Sequence, residues 1–219
     1  MKKKISECYL CGSQEDLTKD HVFPQSLFPK PKPQNLITLD CCRKCQDSYM
    51  EDEEYFRNML IASEDVYETM SGKKLWDSKV LRGLTRTHGI KRKTFEKLKT
   101  VELKTEAGLF LGMQKAFLID KEKFDKVLGK IVRGLHFLHT GFIAANNSVI
   151  VKWDISRKSL VDLIENHKYI QFSNNFGDIV GYQGAKTVDT GASSMWWIHF
   201  FKKHICIAFV LEEMYINKK

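Results

Sequence analysis

The chain has 219 residues, 43% of them hydrophobic and 28% charged, the composition of one large globular domain or two small ones. No apolar run approaches a membrane span, prolines are few, and the lysine-rich start lacks the apolar stretch of a secretory signal, so a cytoplasmic chain with no membrane partner is expected. The net charge of +8 favours a polyanionic partner and is concentrated: residues 71–133 hold 17 basic and 7 acidic side chains, against 9 and 13 in residues 1–70.

Residues 5–50 are turn-rich and carry five of the six cysteines. Residues 51–70 predict a helix: Tyr55, Phe56, Met59, Leu60, Val66, Tyr67 and Met70 recur at three-to-four spacing, acidic residues crowd the start, and Gly72 is read as its end. Residues 73–99 are strongly basic. From residue 100 the pattern turns to strands, with Val101 and Leu103 in one and Leu109 to Ile119 in the next. Asp120 is a candidate N-cap for an amphipathic helix marked by Phe124, Val127, Leu128, Ile131, Val132, Leu135 and Leu138, with Gly141 at its end. A strand at Val149–Trp153, a helix from Ser156 to Asn166 and strands at 179–183, 195–201 and 205–211 complete a ββαβαβββ unit. The expected fold class is α+β. The expected division is residues 1–70, a basic connector over 71–99, and an α+β unit over 100–219.

Cys8-Tyr9-Leu10-Cys11 and Cys42-Arg43-Lys44-Cys45 form two C-x-x-C pairs separated by thirty residues. Two such knuckles in a reducing compartment predict a tetrahedral four-thiolate zinc site. Some forty residues cannot bury enough apolar surface to fold alone, so a metal would hold the segment together. Cys41 could stand in for Cys42, but only Cys42 gives the two-residue spacing to Cys45. Cys206, inside an apolar run, reads as a small buried hydrophobe.

Between the knuckles lie Asp20-His21-Val22-Phe23-Pro24 and, some fourteen residues on, Asn35-Leu36. A zinc knuckle, an Asp-His pair followed by two hydrophobes and Pro, an Asn-Leu, a closing C-x-x-C and then Asp52-Glu53-Glu54-Tyr55-Phe56 resemble an HNH endonuclease of the ββα-metal, treble-clef type. The resemblance covers about residues 5–57. It implies a zinc-stabilised finger that hydrolyses DNA phosphodiesters, with RNA a further candidate substrate. It implies His21 as general base, a role suited to imidazole because its pKa lies near neutrality. It implies Asp20 as a ligand of a catalytic Mg²⁺ or Mn²⁺, ions that favour hard oxygens, and Asn35 as the residue that pins the loop and orients His21 by hydrogen bonds to backbone. The position after the last knuckle cysteine, normally the second protein ligand of that ion, is here Gln46. Its amide oxygen is a hard donor on a chain one methylene longer than asparagine's, so altered metal binding or a weak finger is an alternative.

The basic segment is the expected phosphate contact, densest at Lys91-Arg92-Lys93 with Arg82 and Arg86 nearby. His136 and His139 read as ordinary helix-end residues rather than ligands. For Trp196-Trp197 one ring in the core and one at the surface is expected. The rival readings are a zinc-finger module that binds nucleic acid or a partner without cutting, and an effector subunit gated by a sensor protein in phage defence. Double-strand cutting by a single-site finger would be simplest in a homodimer.

Overall fold

The computed structural model describes residues 6–80, 98–105, 107–117, 119–153, 171–187 and 192–212. The helix expected at 156–166 and the basic residues Arg82, Arg86, Lys91, Arg92 and Lys93 lie outside them. The fold is mixed α+β.

Strands β1 (Leu17–His21) and β2 (Thr38–Cys42) form an antiparallel hairpin with Asp20 opposite Leu39 and His21 opposite Thr38. The short helix α1 (Arg43–Asp47) follows at once, with Cys42 as its N-cap. The helix expected over 51–70 is broken into α2 (Met50–Ile61), α3 (Glu64–Tyr67) and α4 (Met70–Leu75). Gly72 ends none of them. It lies inside α4, where a Cβ would sit 1.9 Å from the Val66 carbonyl oxygen, so the close approach of the two short helices requires glycine.

Strands β3 (Leu98–Lys104) and β4 (Phe110–Phe117) pair as a separate hairpin. Helix α5 (Lys121–Thr140) starts at Asp120, whose side chain accepts the Lys123 N–H, and stops at Gly141, which adopts a φ of 79°. The remaining strands are β5 (Val149–Trp153), β6 (Phe172–Phe176), β7 (Val180–Lys186), β8 (Ser194–Phe200) and β9 (His204–Val210). They form one antiparallel sheet in the order β5-β9-β8-β7-β6. Sequence reasoning missed β6, because Phe-Ser-Asn-Asn-Phe carries two residues that strands disfavour, tolerated here at the sheet edge.

Alternation in β8 sends Ser194, Trp196, Ile198 and Phe200 inward, with Trp196 fully buried and Trp197 half-buried on the other face. The pair therefore divides between core and outer face as expected. His136 and His139 hold ordinary packing positions: His136 Nδ1 lies 2.7 Å from Ser194 Oγ, and His139 stacks on Phe172. Cys206 is buried, and burial pushes its thiol up to about 12.

Among the described residues the larger of two hydrophobic clusters joins the hairpin, the helices and the sheet, and the smaller surrounds Cys8, Tyr9 and Tyr49. Val22, Phe23, Leu27 and Phe28, which follow His21, join the larger together with Phe56, the apolar stripe of α5 and the inner face of the sheet. Phe23 packs 5.8 Å from Phe176 and 6.0 Å from Tyr182, and Phe56 lies 4.4 Å from Phe124. The two hydrophobes after the Asp-His pair are thus anchors that seat the hairpin on the sheet. In α5 every residue from Val127 to His136 is buried, so this stretch of the helix is enclosed on all sides. Its apolar stripe faces the sheet. A second stripe, Lys126, Lys130, Arg133 and Phe137, recurs at i, i+4, i+7 and i+11 on the other side and faces residues 8–53. Among the described residues no helix is long and apolar enough to cross a membrane.

Candidate functional site

The cysteine end is built by two tight turns. Gly12 N–H bonds the Cys8 carbonyl at 2.8 Å, and Gly12 takes a φ of 75° that favours glycine. The second turn is the junction of β2 with α1, where Cys42 caps the helix that carries Cys45. The Sγ atoms of Cys8, Cys11, Cys42 and Cys45 all lie within 4.8 Å of one another. A tetrahedral zinc with Zn–S bonds of 2.3 Å places its sulfurs about 3.8 Å apart. The four thiols can hold a metal ion, and the all-sulfur donor set suits zinc. Burial opposes ionisation of Cys8, but backbone N–H groups of Cys42, Leu10 and Cys11 outweigh it and bring the thiol to about 7. Cys41 is fully buried with its Sγ 3.8 Å from Cys8 Sγ. Burial pushes its thiol up, so it stays protonated outside the four. Cys42, not Cys41, completes the cluster.

The Asp-His end is arranged differently. Successive strand side chains point to opposite faces, and here they diverge. Asp20 is 5% exposed and points at α5. Its Oδ2 accepts a hydrogen bond from Tyr9 Oη at 2.8 Å and faces Lys130 Nζ at 2.8 Å. Tyr9 belongs to the first knuckle, so this bond ties the two ends of the hairpin together. Lys130, 1% exposed, also pairs with Glu53 of α2 and lies over the Tyr49 ring. Burial alone would lower its pKa, but Asp20 and Glu53 reverse this and hold the ammonium charged. Around it Lys126 donates to the Ser48 carbonyl at 2.8 Å, and Arg133 donates to the carbonyls of Leu10 and Ala144. A Cβ on Gly134 would meet Val22 Cγ1 at 2.9 Å, which measures how closely α5 approaches this end of β1.

His21 faces the other way. It is half-buried, with Gln25 Nε2 3.4 Å from its Nε2. Burial lowers its pKa, helped by Lys32 and Lys130 and opposed by Asp20, so the ring is neutral near pH 7 and free to take a proton. Gln46 is half-buried in α1, and its Oε1 accepts from Thr18 Oγ1 at 2.9 Å. Asn35 is exposed on the loop before β2 and makes no hydrogen bond to His21 among the described residues. The structure therefore brings the four cysteines together and places Asp20 beside His21 along the strand. It does not join Asn35 to His21.

Asp20 and Gln46 offer oxygens of the type a hard divalent ion takes. Their arrangement does not fit one. An ion on Asp20 Oδ2 would stand beside an ammonium already 2.8 Å from that oxygen, and the Gln46 oxygen already accepts the Thr18 hydroxyl. The residues that sequence reasoning missed are Lys130, Glu53 and Tyr9. Lys130 lies on the polar side of an amphipathic helix, a side normally assigned to solvent. The only signal was the spacing of Lys126, Lys130, Arg133 and Phe137.

No protein-family model matches this chain, and neither a curated protein nor a solved structure matches it.

Proposed function

We propose that the chain hydrolyses nucleic-acid phosphodiesters through an HNH-type, treble-clef-like finger whose structural zinc is held by Cys8, Cys11, Cys42 and Cys45. The observation that carries this reading is His21: a neutral, half-buried imidazole at the end of β1, directly after Asp20, in a hairpin closed by the four-cysteine cluster. As general base it takes a proton from water. The resulting hydroxide attacks phosphorus, and the bond to the 3′ oxygen breaks. That oxygen takes a proton from solvent, leaving a 5′-phosphate and a 3′-hydroxyl. No step is assigned to an ion on Asp20. Asp20 positions the strand by anchoring it to Tyr9 and Lys130.

A second reading, a zinc finger that binds nucleic acid or a partner without cutting, draws support from the same ion pair. A nuclease of the resembled type needs its aspartate open to an ion, and here it is closed.

A plasmid-cleavage time course separates the two, run with the wild type and His21→Ala in Mg²⁺, Mn²⁺ or EDTA. Hydrolysis predicts nicking that His21→Ala slows by roughly 10²- to 10⁴-fold, the range for loss of a general base. Retention of salt-sensitive DNA binding with no nicking in any condition would move the assignment to the binding module.

A further inference from the structure

We infer that Lys130 is the resident cation of the Asp20 end of the finger: its ammonium, delivered by α5, stands where the resembled family places a divalent ion and keeps such an ion off Asp20. The inference rests on the nuclease reading for where an ion would belong, but its test does not depend on cleavage.

The argument is one of charge and position. A carboxylate buried in this hairpin needs a cation or a proton. Asp20 has a cation, Lys130, at 2.8 Å, and both groups are closed to solvent. The same ammonium is held by Glu53, and Tyr9 supplies a hydroxyl to the same carboxylate oxygen. Two carboxylates around one cation, one of them steadied by the Tyr9 hydroxyl, are the hard oxygen surroundings that a small divalent ion also takes. An ammonium meets that need with one charge and three donors, and it cannot leave unless α5 leaves. The helix itself is fixed on both sides, by the sheet through Ile131 and Leu135 and by the knuckle through Arg133 to the Leu10 carbonyl. A divalent ion entering this site would therefore have to displace a tethered competitor that is part of the core.

A consequence is that the site should gain an ion when the ammonium goes. Lys130→Met keeps the length of the side chain and removes its charge, leaving Asp20 and Glu53 to share whatever cation is supplied. Lys130→Met with Glu53→Gln removes one of the two uncompensated charges. It keeps Asp20 and an amide oxygen as donors, so that a folded variant is at hand where the single change unfolds the chain.

The measurement is the electron paramagnetic resonance signal of free Mn²⁺, titrated into zinc-loaded wild type, Asp20→Asn, Lys130→Met and the double variant at pH 7.5. Circular dichroism on the same samples reports folding. Wild type and Asp20→Asn are expected to leave the same free Mn²⁺ up to concentrations on the order of 1 mM, as weak surface carboxylates do. Lys130→Met, or the double variant where the single one is unfolded, is expected to bind one further equivalent roughly tenfold or more tightly, and to lose it when Asp20→Asn is added. Two results would overturn the inference. One is a wild-type equivalent of bound Mn²⁺ that Asp20→Asn removes, which would mean Lys130 does not exclude the ion. The other is a folded Lys130 variant that binds no more Mn²⁺ than the wild type. A chain that never cuts DNA still gives one of these answers, so failure of the nuclease reading and failure of this inference are distinct.

Discussion

The two ends of the β1–β2 hairpin solve the same problem, a cluster of groups that need positive charge, by opposite means. At one end four thiols converge within 4.8 Å on a place for a metal ion, and every ligand comes from residues 8–45. At the other end Asp20 and Glu53 receive their charge from Lys130, a side chain of α5, and no loose ion is required. A metal ion held at the first end would be a solute that can be removed. The second depends on the docking of a helix. Tyr9 joins them, since it stands between two of the four cysteines and donates to Asp20.

The largest expected effect breaks the first end. A strong zinc chelator should unfold the hairpin, because the metal supplies on the order of 10 kcal/mol in small thiolate sites. The effect should spread, since Val22, Phe23, Leu27 and Phe28 belong to the core shared with the sheet. Elemental analysis should give one zinc per chain, and Cys45→Ser should reproduce the loss of thermal stability. A chelated chain with an unchanged melting temperature would remove the metal from the account.

The second end should break by mutation and not by chelation. Lys130→Met leaves two carboxylates without their cation and is expected to cost about 3–5 kcal/mol in urea unfolding. Lys126→Met is the internal control. Lys126 is also paired, with Asp52, but its side chain is 41% exposed, so its replacement should cost at most about 1 kcal/mol. Equal costs for the two lysines would mean that burial does not set the value of the Lys130 pair.

How much of this was legible follows the same division. The cysteine end was readable because its information is local: the spacing of each knuckle and the turn between ligands are carried by adjacent residues. Helix α5 was readable for the same reason, from the Asp120 cap, the apolar stripe and Gly141. The Asp20 end was not. Its cation comes from far along the chain, and the spacing of Lys126, Lys130, Arg133 and Phe137 does not by itself say that the polar side of an amphipathic helix will be covered. Asn35 stands exposed on the loop before β2, so its place in the motif says nothing by itself of what its side chain holds. Gly72 shows the limit of reading by residue type: it looked like a helix stop, and the Val66 carbonyl explains it instead.

Acid adds a group outside both ends to the comparison. His136, on the sheet side of α5, is buried beside Ser194, and burial lowers its pKa to about 4 from an ordinary 6.5. The folded state therefore holds fewer protons than the unfolded state between those values. The contribution is complete above pH 6.5 and is lost as the pH falls towards 4, by about 3 kcal/mol in all. The slope should flatten in His136→Gln. An unchanged slope would place the acid-sensitive group elsewhere, and comparisons of the hairpin's two ends are best made above pH 6.5.

A smaller change tests the link between the ends. Tyr9→Phe removes the hydroxyl from Asp20 while leaving Lys130 in place, and should cost about 2 kcal/mol, the value of a buried hydrogen bond to a charged group. Zinc stoichiometry should stay at one, because the cysteines do not use the hydroxyl. Loss of zinc in Tyr9→Phe would show that the two ends are one site.

The smallest expected effect concerns Gln46. Its oxygen accepts the Thr18 hydroxyl at 2.9 Å, so Thr18→Val should cost about 1 kcal/mol, the usual net value of a partly buried hydrogen bond. The same substitution frees that oxygen for any ion able to reach it. If Gln46 were an ion ligand held back by Thr18, Thr18→Val would raise Mn²⁺ binding. With Lys130 still on Asp20, no rise is expected, because a single neutral amide oxygen is too weak a donor to hold a divalent ion without a carboxylate. In the Lys130→Met background the two changes should reinforce each other, since Asp20 and Gln46 would both be open. That pattern, silent alone and felt only with Lys130→Met, is what a site closed by its lysine requires and what one closed by its glutamine cannot give.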